Sequence, residues 1–261
     1  MTLGKTIGLS LVVVCLIGWP RISLAYRPFD STDAAVADVG ELEIEFGPAQ
    51  PRWSDSERIV DAPAYVINYG FAKNWEIVLE GALEHPLLST EDTRTKLVDN
   101  GLFLKGVLRE GVLQDKSGPS IATEFGALLP EINGDPRFGA SLLGIVSQRW
   151  SWGTMHFDAG AALTRDHHGD LFLGTILEGP YDWTIRPVAE AVYERKFGVE
   201  ERFSVLAGAI WRVRDKLDLD VGIREAWINR HPETEVRAGL TFAFSVEEEA
   251  MERSSQLRPS R

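Results

Sequence analysis

An antiparallel transmembrane β-barrel of about twelve strands is the fold this sequence predicts, and three observations predict it. Apolar and polar residues alternate with a period of two from Glu41 almost to the end. The alternating runs are about as long as membrane-spanning strands, roughly 9–11 residues. Trp and Tyr collect where those runs end: Trp75, Trp150, Trp152, Trp183, Trp211 and Trp227, with Tyr65, Tyr69 and Tyr193. Such positions suit girdles at a membrane interface.

The chain has 261 residues and a formal net charge of −12, which becomes −14 beyond residue 25. A polyanion offers no basic surface to phosphates, so nucleic acid is excluded as a partner. No run of about 20 apolar residues occurs, which excludes a helical membrane protein and leaves a barrel open.

Residues 1–25 read as a cleaved signal peptide. Lys5 supplies the positive end, Ile7 to Trp19 the apolar stretch, and Ser23-Leu24-Ala25 the small residues before a mature start at Tyr26. Cys15 lies in this leader and is the chain's one cysteine, so the mature protein has no disulfide. Residues 26–40 read as a periplasmic lead-in. Asp30, Asp33 and Asp38 lie within it; a small plug or cation site is one reading, and a solvated lead-in is the one preferred.

The barrel occupies 41–245. Glu41-Leu42-Glu43-Ile44-Glu45-Phe46 sets three acids against three apolar groups, and Trp75 to Glu84 repeats the pattern. The expected strands are 41–48, 57–71, 75–84, 96–109, 119–129, 138–149, 154–164, 170–179, 183–195, 202–212, 217–228 and 235–245. Tight turns at 72–74, 151–153, 180–182 and 213–216 alternate with longer polar links at 85–95, 130–137 and 229–234, with the link at 110–118 an exception. Short periplasmic turns and longer extracellular loops are the barrel pattern, and an even strand count puts both ends in the periplasm. Residues 246–261 read as a disordered charged tail. A secreted β-sandwich or solenoid is the soluble alternative, with the same alternation turned toward a core.

The last strand, Arg237-Ala238-Gly239-Leu240-Thr241-Phe242-Ala243-Phe244, resembles the terminal signal read by barrel-assembly machinery, with Gly239, Phe242 and Phe244 in the key places. The mature start, Arg27-Pro28-Phe29-Asp30-Ser31-Thr32-Asp33-Ala34, with Gly40-Glu41-Leu42-Glu43 and Asn68-Tyr69-Gly70-Phe71, resembles a Gram-negative outer-membrane family. That family is labelled MetA-pathway of phenol degradation, or simply transporter. The resemblance covers residues 26–245. It implies an outer-membrane location and passage of small, often aromatic or apolar compounds.

The polar face of each strand gives the expected lumen: Glu43, Glu45, Glu76, Glu80, Glu84, Lys105, Arg109, Glu124, His156, Asp158, Arg186, Glu190, Glu194, Arg202, Arg212, Asp218, Asp220, Arg224 and Arg237. These line a selectivity filter, or they pair across a narrow bore and fill it. Acids crowd the first three strands and arginines the last four, so Arg237 or Arg224 is expected to pair with Glu43 or Glu45 where the barrel closes.

Asp166-His167-His168-Gly169-Asp170 has metal-ligand residue types, but adjacent histidines in extended chain diverge and no third is near, so it reads as a polar turn. No metal or cofactor is expected. His156 beside Asp158 would need a serine to make a hydrolase; Ser141 and Ser204 are available, but no G-x-S-x-G elbow is present. The expected function is passive passage of small solutes, with outer-membrane lipid and barrel-assembly machinery as partners. A plugged barrel with a structural or adhesive role is the alternative, and an outer-membrane hydrolase the third.

Overall fold

The computed structural model describes residues 27–55, 57–88 and 94–246. The signal peptide and all but the first residue of the expected tail lie outside them. Thirteen strands form one antiparallel sheet: β1 Glu41–Gly47, β2 Gln50–Ser54, β3 Arg58–Ala72, β4 Trp75–Leu88, β5 Lys96–Arg109, β6 Ser120–Leu128, β7 Gly139–Trp150, β8 Gly153–Leu163, β9 Gly169–Glu178, β10 Ile185–Lys196, β11 Glu200–Arg214, β12 Leu217–Ile228 and β13 His231–Ser245.

From β2 onward each strand pairs with its sequence neighbour, and β1 pairs with β3. The last also returns to the first, with Leu42 opposite Phe244 and Phe46 opposite Leu240, so the sheet closes. β1 and β2 are one stave. Both lie between β3 and β13, and the break at Pro48-Ala49 shifts the register against β13 by one residue. The thirteen segments therefore make a closed barrel of twelve staves.

Period-two patterning becomes the barrel's two faces. Along β10, Arg186, Val188, Glu190 and Val192 are buried while Ile185, Pro187, Ala189 and Ala191 are exposed. An outer face carrying Leu79, Leu102, Leu142, Phe157, Val205, Val221 and Ile223 uncovered is stable only in hydrocarbon. Two aromatic rings bound it. Trp150, Trp152, Trp183 and Trp211 lie at the terminal end, where β1 begins and β13 finishes, and Trp150 and Trp152 stack there at 5.2 Å. Trp53, Trp227 and Phe203 lie at the other end, the last two stacked at 6.0 Å. Phe242 and Phe244 of the terminal signature stack at 6.3 Å opposite Ile44 and Leu42.

The expected strands agree with these except at certain ends. The first continues past the break as β2, β4 runs to Leu88, and β13 begins at His231. The expected link at 229–234 is a two-residue turn, Asn229 and Arg230, both with positive φ as a type I′ turn requires. Its polar residues belong to the hairpin, with Glu235 opposite Arg224. Link length contrasts little between the ends: 110–119 at the terminal end is as long as 129–138 at the other.

Candidate functional site

The bore is occupied by the chain's own lead-in. Residues 27–38 run inside the barrel, so the expected solvated lead-in is corrected: the acids there belong to a plug. It enters beside the start of β1, where Gly40 N–H donates to Gly70 O at 2.7 Å. It crosses to β7 and β8 before rising toward β10, β12 and β13.

The wall holds this segment chiefly by its backbone. Ala37 N–H donates to Glu76 Oε2 at 2.6 Å, and Ala34 N–H to Ser147 Oγ at 2.9 Å. Thr32 N–H reaches Asp158 Oδ2 at 2.7 Å, while the N–H groups of Ser31 and Asp30 share Glu190 at 2.7 and 3.0 Å. Hydrogen bonds from neutral donors to carboxylates are among the stronger ones, and here they satisfy backbone groups that no strand partner serves. Ala34 itself is fully buried against Ala122 and Ile145, with Leu113 and Leu143 alongside.

Charge fixes the far end. Arg237 donates to Pro28 O at 2.8 Å and to Asp30 Oδ1 at 2.6 Å, and Arg224 to Asp30 Oδ2 at 3.0 Å. Burial would raise the Asp30 pKa, but the two guanidiniums prevail and hold it well below the carboxylate range. Lys105 donates to Thr32 Oγ1 at 3.0 Å and lies 3.5 Å from Glu76 Oε1.

Glycines in the wall make the room. A Cβ on Gly70 would lie 2.2 Å from Asp38 O and 2.4 Å from Ala37 O; one on Gly174 would lie 2.0 Å from Ser31 Oγ. Gly47 and Gly239 would likewise meet the Arg27 side chain.

The expected lumen residues sort clearly. Glu43, Glu45, Glu76, Lys105, His156, Asp158, Arg186, Glu190, Asp218, Asp220, Arg224 and Arg237 face inward and are buried. Glu80, Glu84, Glu124, Glu194, Arg202 and Arg212 are half-buried on the same face. Arg109 is exposed: a register shift after Val107 turns it out of the bore, and its guanidinium donates to Pro119 O and Ser117 O across the 110–119 link.

The expected pairing of Arg237 or Arg224 with Glu43 or Glu45 does not form. Glu45 is opposite Thr241, four residues from Arg237 along β13, or about 13 Å at strand rise. Asn68 Nδ2 donates to Glu43 and Glu45 instead, at 3.2 Å each. Arg237 and Arg224 take Glu235 at 2.9 and 2.6 Å besides Asp30, and Arg52 takes Glu84 at 2.9 Å.

Ser147 and Glu178 were missed, although both lie on the inward parity of their strands. Ser147 Oγ is 2.7 Å from His156 Nδ1, and His156 Nε2 is 3.2 Å from Glu178 Oε1. A ring nitrogen facing a carboxylate donates, so Nε2 serves Glu178 and Nδ1 is the nitrogen that faces Ser147. This is the order of a catalytic triad, but Ser147 is fully buried and its oxygen already accepts from Ala34. Beyond Glu178, the link at 179–184 brings Tyr181 under the terminal end of the bore, with the Arg149 and Arg212 guanidiniums 3.9 and 4.9 Å from its ring centre. In the 166–170 turn Asp166 pairs with Lys196 at 2.6 Å; that contact, with Thr164, lowers its pKa to about 2. No group of three metal-ligating side chains converges among the described residues.

Above the plug lies a vestibule of about 900 Å³, floored by Arg27, Pro28, Phe29 and Asp30. Its lining carries thirteen Asp and Glu against seven Arg and Lys. Below it, between plug and wall, is a cavity of about 150 Å³.

No family model and no curated protein matches the sequence. Solved structures do. The chain is similar to an outer membrane channel from Pseudomonas putida F1, with a TM-score of 0.57 and 10% identity over 83% of this chain and 100% of that one. It is also similar to KdgM porin, with a TM-score of 0.51 and 11% identity over 77% and 99% of the two chains. At such identities the likeness establishes the fold: an outer-membrane-type β-barrel of the kind that channels use.

Proposed function

We propose that this protein is an outer-membrane channel for small solutes, closed at rest by its own N-terminal segment and selective for cations. One observation carries the reading. A wide vestibule ends on a plug that, beyond its continuation into β1, is held to the wall only by hydrogen bonds, ion pairs and packing, and such contacts exchange readily for water or solute. Residues 27–40 are then the gate. The end where β1 begins and β13 finishes faces the periplasm, and the vestibule faces outside.

The acid excess sets the preference. A ring of carboxylates raises the local concentration of cations and repels anions. KdgM porin has been solved in complex with disordered oligogalacturonate, a polyanion; the acid-rich vestibule here has the same sign as such a ligand and suits cationic cargo instead. A lining so rich in charge also favours polar solutes over the aromatic or apolar compounds that the family resemblance implies. Hydrolysis is not part of this reading, because Ser147 lines neither cavity and has no room for a substrate carbonyl.

A cross-link tests the gate. Ser31 Cβ lies 3.0 Å from a Cβ built on Gly174, near the span of a disulfide, and the leader's Cys15 is the chain's sole cysteine. The S31C/G174C double variant in planar bilayers should be silent when oxidised and show unit currents after reduction, reversing toward the potassium potential in a KCl gradient. Equal currents in both states would refute the gate. A folded barrel silent in both states would favour the plugged structural or adhesive role.

A further inference from the structure

The small cavity under the plug is lined by many more carboxyl groups than cationic groups. Seven carboxylates line it, and Lys105 is the one amine among its lining residues. Asp30 is matched by Arg224 and Arg237. Lys105 is already engaged, 3.4 Å from Asp33 Oδ1 and 3.5 Å from Glu76 Oε1. Glu45, Glu80 and Glu124 enter no ion pair among the described residues. A second observation comes from the plug: Asp33 is 1% exposed, and its Oδ2 has no hydrogen-bond partner. Lys105 and the Ala35 N–H serve the other oxygen of Asp33, and a buried acceptor left without a donor is costly.

The space and geometry restrict the guest. A volume of about 150 Å³ takes roughly five waters at about 30 Å³ each, or one small head group with a few waters. No three carboxylates converge closely enough among the described residues to coordinate a bare metal ion directly. The carboxylates are instead spread around the cavity, which suits a cation carrying several diverging N–H donors.

We propose that this cavity is a binding site for a primary ammonium group, held by Asp33 of the plug with Glu80 and Glu124 of the wall. The route is the vestibule, since Glu80 and Glu124 line both cavities. Because one ligand touches plug and wall together, its binding strengthens closure by mass action. The site requires the plugged arrangement described above and does not require that the bore ever conduct.

Calorimetric titration of the full protein in detergent at pH 7 and constant ionic strength tests it, with methylammonium chloride as the probe. Tetramethylammonium chloride, of equal charge but without N–H donors, is the control. Saturable methylammonium binding is expected, with affinity at least tenfold weaker for tetramethylammonium and for the Asp33→Asn variant. Glu124→Gln, which leaves the plug sequence untouched, should weaken it likewise and serves if Asp33→Asn folds poorly. No saturable heat, equal affinity for the two ions, or undiminished binding in Glu124→Gln would each overturn the site. Because no current is measured, failure here leaves the channel reading standing. A bore that never conducts leaves this site standing in turn.

Discussion

Replacing Gly70 with alanine should unseat the plug at its root. The new Cβ would lie 2.2 Å from Asp38 O and 2.4 Å from Ala37 O. Both are backbone atoms, so no rotamer relieves the clash. Restoring van der Waals contact needs a displacement of about 1 Å, against the two hydrogen bonds that hold this stretch. Gly40 N–H to Gly70 O is 2.7 Å and Ala37 N–H to Glu76 is 2.6 Å. Lengthened by about 1 Å, neither remains a hydrogen bond. A neutral bond contributes about 1 kcal/mol and one to a charged group about 1.5–3 kcal/mol, so closure should weaken by about 2.5–4 kcal/mol. At about 1.4 kcal/mol per factor of ten, the closed-to-open ratio falls roughly 60- to 700-fold. Single-channel recording in planar bilayers reads this as a rise in open probability. Heat-modifiable migration on gels should be unchanged, because alanine is no worse than glycine in a strand. A folded Gly70→Ala barrel with wild-type open probability would refute the argument that plug and wall are fitted at this point.

Four further outcomes are expected. Ala34→Asp puts an unpaired charge into the fully buried seat made with Ala122 and Ile145 and should shorten closed dwell times at least about 100-fold; unchanged dwell times would mean that Ala34 does not sit there. Asp30→Asn should also shorten them, with a simple pH signature. The folded-state pKa of Asp30 lies below its unfolded value, so its anchoring is complete above about pH 4 and fades only as pH falls through the lower folded value. The ratio of wild-type to variant dwell times should therefore match at pH 7 and pH 5; a smaller ratio at pH 5 would contradict the ion pairs with Arg224 and Arg237. Glu80→Lys should reduce the potassium-over-chloride permeability ratio by about threefold or more, measured from reversal potentials. Arg109→Ala should leave ion selectivity unchanged, measured from reversal potentials, because that guanidinium lies outside the bore and braces the 110–119 link.

The alternation of residues such as Glu41 to Phe46 and Ile185 to Glu194 determined by itself that the chain forms two-faced strands and which face of each is polar. Side chains in a strand alternate strictly, so parity carries from the sequence into the barrel without any knowledge of neighbours. That is why Glu76, Asp158, Glu190, Arg224 and Arg237 were legible as inward residues. Arg109 was not, because a register shift reverses parity, and such shifts arise from how adjacent strands pair. The partners of those residues were decided only by tertiary structure. Arg237 meets Glu235 and Asp30, and the register of β1 on β13 places Glu45 well below it. The largest difference concerns residues 27–38. Their small and acidic side chains suit solvent as well as a narrow bore, and what selects the bore is a set of wall carboxylates and glycines far away in sequence. Glu190 lies about 160 positions from the backbone it holds, and Gly174 makes room for Ser31. A backbone N–H has no identity that a sequence can advertise. The plug became visible only when twelve staves closed around it and their inward groups converged on one segment.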